Sequence, residues 1–268
     1  MNMKLSDIKN KSLLLTGNIT KNNVDFLSSI LENNSIIYKN FDSAVVVLNG
    51  NKSLCDLISK HIKNIIPNCY YIYDFINRGW QFGTIDIERT GYDYIKNNIS
   101  NCEYIFKIDL DIYLTENILN LDVADFDFLG MPSIGYGGIS HPDWNLDMKK
   151  LSDIYYDDIL YPQSTIYLIK TKCDYLYTEE LWISNKYIHH INTNKKAHEL
   201  GVSCEPLLRK SLVRNNMKCG YMITYEEYVR LLNFVMVHKI VDPSHKNLLF
   251  KNAGICHLTD ENLVMEFE

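Results

Sequence analysis

Four short apolar runs, the first three each followed by a segment with helical spacing, set the architecture open to this chain. "SLLLTGNI" (12–19) reads as a strand closed by a Gly-Asn turn, and in 21–33 Val24, Leu27, Ile30 and Leu31 recur one helical turn apart. "SAVVVLNG" (43–50) is almost wholly apolar, as expected of a strand covered on both faces. Leu54, Leu57, Ile58, Ile62 and Ile65 then mark a helix that stops before Pro67. "CYYIYDFI" (69–76) reads as a third strand, and Gly83 to Asn98 sets Ile87, Gly91, Tyr94 and Ile95 on one helical face. "YIFKID" (104–109) is the fourth strand. This order predicts an α/β fold with an open, Rossmann-like, mostly parallel sheet, flanked by helices through right-handed crossovers.

Beyond residue 122 the pattern loosens into a Gly-rich loop (130–145), a strand over "QSTIYLIK" (163–170) and two later helices. With 268 residues and no repeat, low-complexity linker or break in composition, one domain over 1–268 is the simpler organisation.

In such sheets ligands bind outside the carboxyl ends of the strands. The fourth strand ends in two acids, Asp109 and Asp111, with Leu110 between them. In an extended chain residues i and i+2 point the same way, so two carboxylates would share one small space and oppose each other's ionisation. A divalent cation removes that conflict, and oxygen ligands suit Mg²⁺ or Mn²⁺, whose other positions go to water and substrate phosphates. Lys107 has the same parity one step deeper and is placed to pair with a carboxylate. The pairs Asp125/Asp127 and Asp157/Asp158 lack a comparable strand end and read as surface groups.

Nucleotide contacts are expected at the ends of the first strands: Thr16, Gly17 and Asn18, then Asn49 of Asn49-Gly50. In "NRGWQFGTID" (77–86), Gly79 and Gly83 let backbone amides approach an anion, Arg78 can neutralise phosphate, and Asp86 can accept from ribose or base. Neither a Rossmann G-x-G-x-x-G nor a Walker A loop is present. A net charge of −6 with no long basic run argues against nucleic acid as the main partner. The seven cysteines are odd in number and never form CxxC, which speaks against a zinc cluster or a disulfide framework. The start, "MNMKLSDIKNKSLLLTG", has too short an apolar stretch for a signal peptide or anchor, and no run reaches transmembrane length. The expected location is a reducing cytoplasm.

"CEYIFKIDLDIYLTENIL" resembles the D-x-D segment of GT-A-fold, nucleotide-sugar-dependent glycosyltransferases, most of all the β-1,3-galactosyltransferase-like group. "GTIDIERTGYDYIKNNISNCEYIFKIDLD" resembles that group's helix of nucleotide contacts leading into the metal strand. "FDFLG" and "YPQSTIYLI" look like its acceptor-side loop and following strand, and "CEPLLRKSLVRNNMKCGY" sits where it carries a Glu-Asp pair opening a helix. This chain departs in having Asp-Leu-Asp for an acidic triplet, no Gly in "YPQSTIY", and Glu205-Pro206 for Glu-Asp.

The resemblance implies a nucleotide-sugar-binding half (1–121) and an acceptor-binding half (122–268). The donor would be a nucleoside-diphosphate sugar, UDP-linked, and the acceptor a hydroxyl on a glycan, lipid or protein. The metal would be held by Asp109 and Asp111, with Asp109 also facing the donor. A third ligand late in the chain falls on His257, with His238 and His245 as alternatives. Inverting transfer needs a base for the acceptor hydroxyl. Glu205, at a helix entrance made by Pro206, takes that place, with Asp143 and Asp147 as alternatives. Trp80 and Trp144 are placed to stack on base and acceptor sugar. Two rivals stand beside this reading. A sugar-phosphate nucleotidyltransferase would carry a Gly-rich, Arg-containing signature after strand one, which "LLLTGNITKNN" lacks. A non-catalytic glycan- or nucleotide-binding module would keep the fold without transfer.

Overall fold

The structure, a computed structural model, describes residues 3–74, 82–123, 126–132, 162–172, 208, 212, 215–237, 247–258 and 264–267. The chain begins β1 (Lys11–Ile19), α1 (Val24–Tyr38), β2 (Ser43–Gly50), α2 (Lys52–Ile65), β3 (Cys69–Asp74), α3 (Phe82–Asn98) and β4 (Tyr104–Asp109). It continues with β5 (Ile112–Leu114), β6 (Phe128–Pro132), β7 (Pro162–Lys170), β8 (Cys219–Tyr221), α4 (Tyr225–Val237), β9 (Asn247–Phe250), β10 (Ile255–His257) and β11 (Val264–Phe267). The four expected strands and the three helices between them all form.

A seven-stranded sheet runs β3-β2-β1-β4-β7-β6-β8. Within it β7 alone opposes the others, pairing antiparallel with β4 and β6, while the remaining pairs are parallel. The expected mostly parallel α/β sheet is therefore present. Both faces are buried, which is why β2 alternates so little in polarity. Leu13, Leu15, Val46, Phe106 and Ile108 pack in one core with Leu27, Leu31, Ile58 and Ile62 of α1 and α2. On the other face Leu14, Val45, Val47, Ile105 and Tyr167 pack with Ile87, Tyr92 and Ile95 of α3 and with Leu208 and Leu212. Gly91 lets α3 close on that face, since a Cβ there would lie 2.2 Å from the Leu14 Cδ1.

A second, four-stranded sheet, β11-β9-β10-β5, was not foreshadowed by the loose pattern after residue 122. Its strand β5 follows the acidic pair at once and runs antiparallel to β10. The other side of β5 is closed by a side chain. Asn34 of α1, fully buried, donates to the Ile112 carbonyl at 2.8 Å and accepts from the Leu114 amide at 2.9 Å. One amide thus does for β5 what a neighbouring strand would do.

Asn34→Ala would strand both backbone groups in the core. Unsatisfied buried groups cost roughly 1–3 kcal/mol each, so a loss of about 3 kcal/mol is expected, read as a lowered midpoint in urea unfolding.

Candidate active site

The register of the main sheet assembles the site at the carboxyl end of β4. Thr16 lies beside Asp109 across β1 and β4, and Tyr167 lies beside Lys107 across β7. By strand parity Ile105, Lys107 and Asp109 face α3, the side on which Ile105 and Tyr167 are buried with Ile87, Tyr92 and Ile95. Lys107 is therefore a charge in the middle of a core and needs counter-charges nearby.

It has them. The Lys107 ammonium lies 2.7 Å from the Asp109 Oδ1 and 3.1 Å from the Glu88 Oε1. It also donates to the Ser164 carbonyl. Hydrogen bonds to Asp109 and Ser164 and the ion pair with Glu88 fix the ammonium in place. The Lys107 side chain is 0% exposed and that of Glu88 1%. The Tyr167 hydroxyl donates to the other Glu88 oxygen at 3.1 Å, and the Lys107 nitrogen lies 5.8 Å from the Tyr167 ring centre. Burial disfavours the ammonium, yet Asp109 and Glu88 outweigh it and raise Lys107 above its ordinary value. Burial pushes the Glu88 carboxyl up to about 7, helped by the Asp109 charge and opposed by Lys107.

Asp109 is held through one oxygen only. Thr16 Oγ1 and Lys107 Nζ both donate to Oδ1, and among the described residues no hydrogen bond reaches Oδ2. Its side chain keeps 23% exposure. Burial raises the Asp109 pKa, and the Asp111 charge adds to the rise, so the two carboxylates feel each other. Asp111 reaches this position by a route the sequence did not announce. The strand ends at Asp109, and Leu110 and Asp111 form a turn rather than a continued strand. Strict strand parity therefore does not set the direction of Asp111. The turn is tied at both ends instead: the Leu110 amide donates to the Thr16 carbonyl at 3.0 Å, and the Leu258 amide to the Asp111 carbonyl at 3.0 Å.

The same pairing brings in the end of the chain. His257 stands opposite Ile112 in the β10–β5 register, an α-carbon separation of about 5 Å for antiparallel neighbours. Only its backbone is described. Among the described residues no group of three or more His, Cys, Asp or Glu gathers around one point. Two carboxylates, one with an oxygen that no hydrogen bond among the described residues reaches, are nevertheless a donor set that suits a hard divalent cation, Mg²⁺ or Mn²⁺.

The expected nucleotide contacts divide. Thr16 spends its hydroxyl on Asp109 and is 2% exposed. Gly17 admits the Leu110 side chain, whose Cδ1 would sit 2.8 Å from a Cβ there. Asn18 is exposed, and its carbonyl accepts from the Asn23 side chain at 2.8 Å. Asn49 is 4% exposed, and its buried side-chain oxygen has no hydrogen-bond partner among the described residues. Gly83 and Asp86 lie in α3, where only their backbone is described. Arg78, Gly79, Trp80, Asp143, Trp144, Asp147, Glu205, His238 and His245 lie outside the described residues.

Glu88 was the residue missed. A signal for it exists: it stands three, four and seven positions before Gly91, Tyr92 and Ile95, so an acid sits within the buried stripe of α3. Paired with a lysine inside an apolar strand, it points to an internal ion pair.

No protein-family model matches the chain, and no curated protein does. Among solved structures it is similar to the galactosyltransferase LgtC in complex with donor and acceptor sugar analogues, with 12% identity, TM-score 0.46, and 78% of this chain and 72% of that chain covered. It is also similar to core-mannan synthase A of Aspergillus fumigatus in its Mn/GDP form, with 9% identity, TM-score 0.41, and 82% and 77% covered. A third likeness is to 4-diphosphocytidyl-2C-methyl-D-erythritol synthase of Anaerococcus prevotii, with 12% identity, TM-score 0.39, and 87% and 98% covered. TM-scores below 0.5 at these identities assign the chain to no family. No helix among the described residues is long and apolar enough to cross a membrane.

The Glu88 carboxyl makes stability depend on pH. Raised from 4.5 to about 7 in the fold, it holds a proton there that the unfolded chain has released, so stability falls as pH rises through that window. Urea midpoints measured from pH 4.5 to 8 should fall for the native chain, and Glu88→Gln should flatten that slope.

Proposed function

We propose that the chain is a metal-dependent glycosyltransferase of the GT-A type, moving a hexose from a nucleoside-diphosphate sugar, preferably UDP-linked, to a hydroxyl acceptor with inversion. One observation carries this reading. At the carboxyl end of a central parallel strand, Asp109 is locked through Oδ1 while no hydrogen bond among the described residues reaches Oδ2, with Asp111 one turn residue away. A carboxylate oriented by a buried lysine and a threonine is pre-set for a ligand rather than idle at a loop. Ligands of such sheets bind at this edge.

Asp109 and Asp111, with His257 as third ligand, would hold Mn²⁺ or Mg²⁺. When bound, the cation supplies positive charge for the diphosphate that leaves as the glycosidic bond breaks. The remaining work belongs to the chain. Thr16 and Lys107 keep Asp109 from turning away. The buried oxygen of Asn49, without a hydrogen-bond partner among the described residues, would accept from the base or ribose. Asn18, exposed at the end of β1, lies along the same edge. Gly79 and Gly83 would keep the donor's path clear of side chains, Arg78 would meet its phosphates and Asp86 its ribose, while the open side of Gly17 is taken by Leu110. Glu205 would take the proton of the acceptor hydroxyl as it attacks the anomeric carbon from the side opposite the diphosphate.

Transfer from UDP-sugars to a panel of glycosyl acceptors, followed by release of UDP, tests this directly. Asp111→Ala should abolish transfer and its dependence on Mn²⁺, and full activity in EDTA would refute the reading. Glu205→Gln should lower kcat by about 10²–10⁴, the usual worth of a general base, with KM for the donor little changed. An unchanged rate would move the base elsewhere.

A further inference from the structure

Lys107 poses a problem for the carboxylate it holds. Its ammonium lies 2.7 Å from the Asp109 Oδ1, so it pulls on the same charge that would hold a divalent cation. A lone lysine there would orient Asp109 and weaken it as a ligand at once. Glu88 also lies against that ammonium, at 3.1 Å, and is itself held by the Tyr167 hydroxyl at 3.1 Å. We propose that Glu88 is a positioning residue for the cation site: by cancelling the Lys107 charge and anchoring its ammonium, it lets Lys107 fix Asp109 without competing for it. The proposal rests on the metal-binding reading of Asp109 and Asp111 and names the residue that tunes that site.

The charges make the case. With Glu88 ionised, Lys107, Glu88, Asp109 and Asp111 together leave two net negative charges, the complement of one divalent cation. Without Glu88 one remains, and the ammonium of Lys107 falls wholly on Asp109. The low exposure of Lys107 and Glu88, 0% and 1%, keeps water from screening this difference. The geometry also separates a tuning role from a structural one. Glu88 touches Lys107 and Tyr167, and the lysine carries its effect to Asp109. A glutamate needed only to neutralise a buried lysine would affect folding and leave cation binding in the folded protein unchanged.

The experiment is a titration with Mn²⁺ at pH 8, reading the free ion by its electron paramagnetic resonance signal, with folding followed by circular dichroism. Wild type is compared with Glu88→Gln, Glu88→Asp and the Glu88→Gln/Lys107→Met double variant. Glu88→Gln should weaken Mn²⁺ binding by about tenfold, as expected for losing one nearby screened-off charge. Glu88→Asp keeps the charge and should bind more tightly than Glu88→Gln. The double variant restores two net negative charges but lacks the ammonium that holds Asp109, so it should bind more tightly than Glu88→Gln and less tightly than wild type, a partial recovery that additive losses would not produce. Equal affinity in wild type and Glu88→Gln overturns the proposal while the metal site stands. A double variant as weak as Glu88→Gln overturns it too. Should Glu88→Gln not fold, the double variant, free of the Lys107–Glu88 pair, decides alone: a loss of less than tenfold from wild type supports the proposal and a loss of tenfold or more overturns it. Wild type that binds no Mn²⁺ overturns both this inference and the metal-dependent reading beneath it.

Discussion

The buried ammonium of Lys107 is the interaction on which the rest of the site turns. It joins three elements that are distant in sequence: β4 through Asp109, α3 through Glu88, and β7 through the Ser164 carbonyl. Burying an ion pair is seldom a gain in stability, because desolvation of the charges offsets their attraction. What such a cluster supplies is geometry. Held through Oδ1 by Thr16 and the anchored ammonium, the Asp109 carboxylate is fixed in orientation, and no hydrogen bond among the described residues reaches its second oxygen.

The second constraint is on the turn that follows. Leu110 and Asp111 leave the main sheet and lead within one residue into β5, which belongs to the other sheet. Such a crossing would fray without support on both edges. Asn34 holds β5 on one side and β10 on the other, while the Leu110 and Leu258 amides clasp the turn itself. The acidic pair is thereby fixed by contacts from α1, β1 and the end of the chain. That arrangement also explains how a histidine more than 140 residues away, His257, arrives beside the strand that follows the acids.

Much of the first half was legible in the residues. β2, β4 and α2 match their expected spans closely, because apolar runs and a proline stop are local signals. The pairing of Lys107 with a carboxylate was also legible, since a charge inside an apolar strand has few alternatives. Glu88 was harder to read, because α3 carries charges along much of its length and its place in the buried stripe rests on helical spacing alone. Strand parity does not decide the direction of Asp111, because the strand ends at Asp109 and Asp111 lies in the turn that follows. Asn34 was overlooked because a buried amide inside a helix has no signature until its strand partner is known.

The sequence by itself determined the order of the strands along the chain, the burial of both sheet faces, and the placing of two acids at a strand's carboxyl end. These follow from hydrophobic period and from the short reach of turn and helix-stop signals. Only the tertiary structure decided that Asp109 is gripped through a single oxygen, that Glu88 balances the lysine beneath it, and that the last strands close on β5. Those outcomes depend on register between segments far apart in the chain, and register is set by packing across the sheet rather than by any residue's neighbours in sequence.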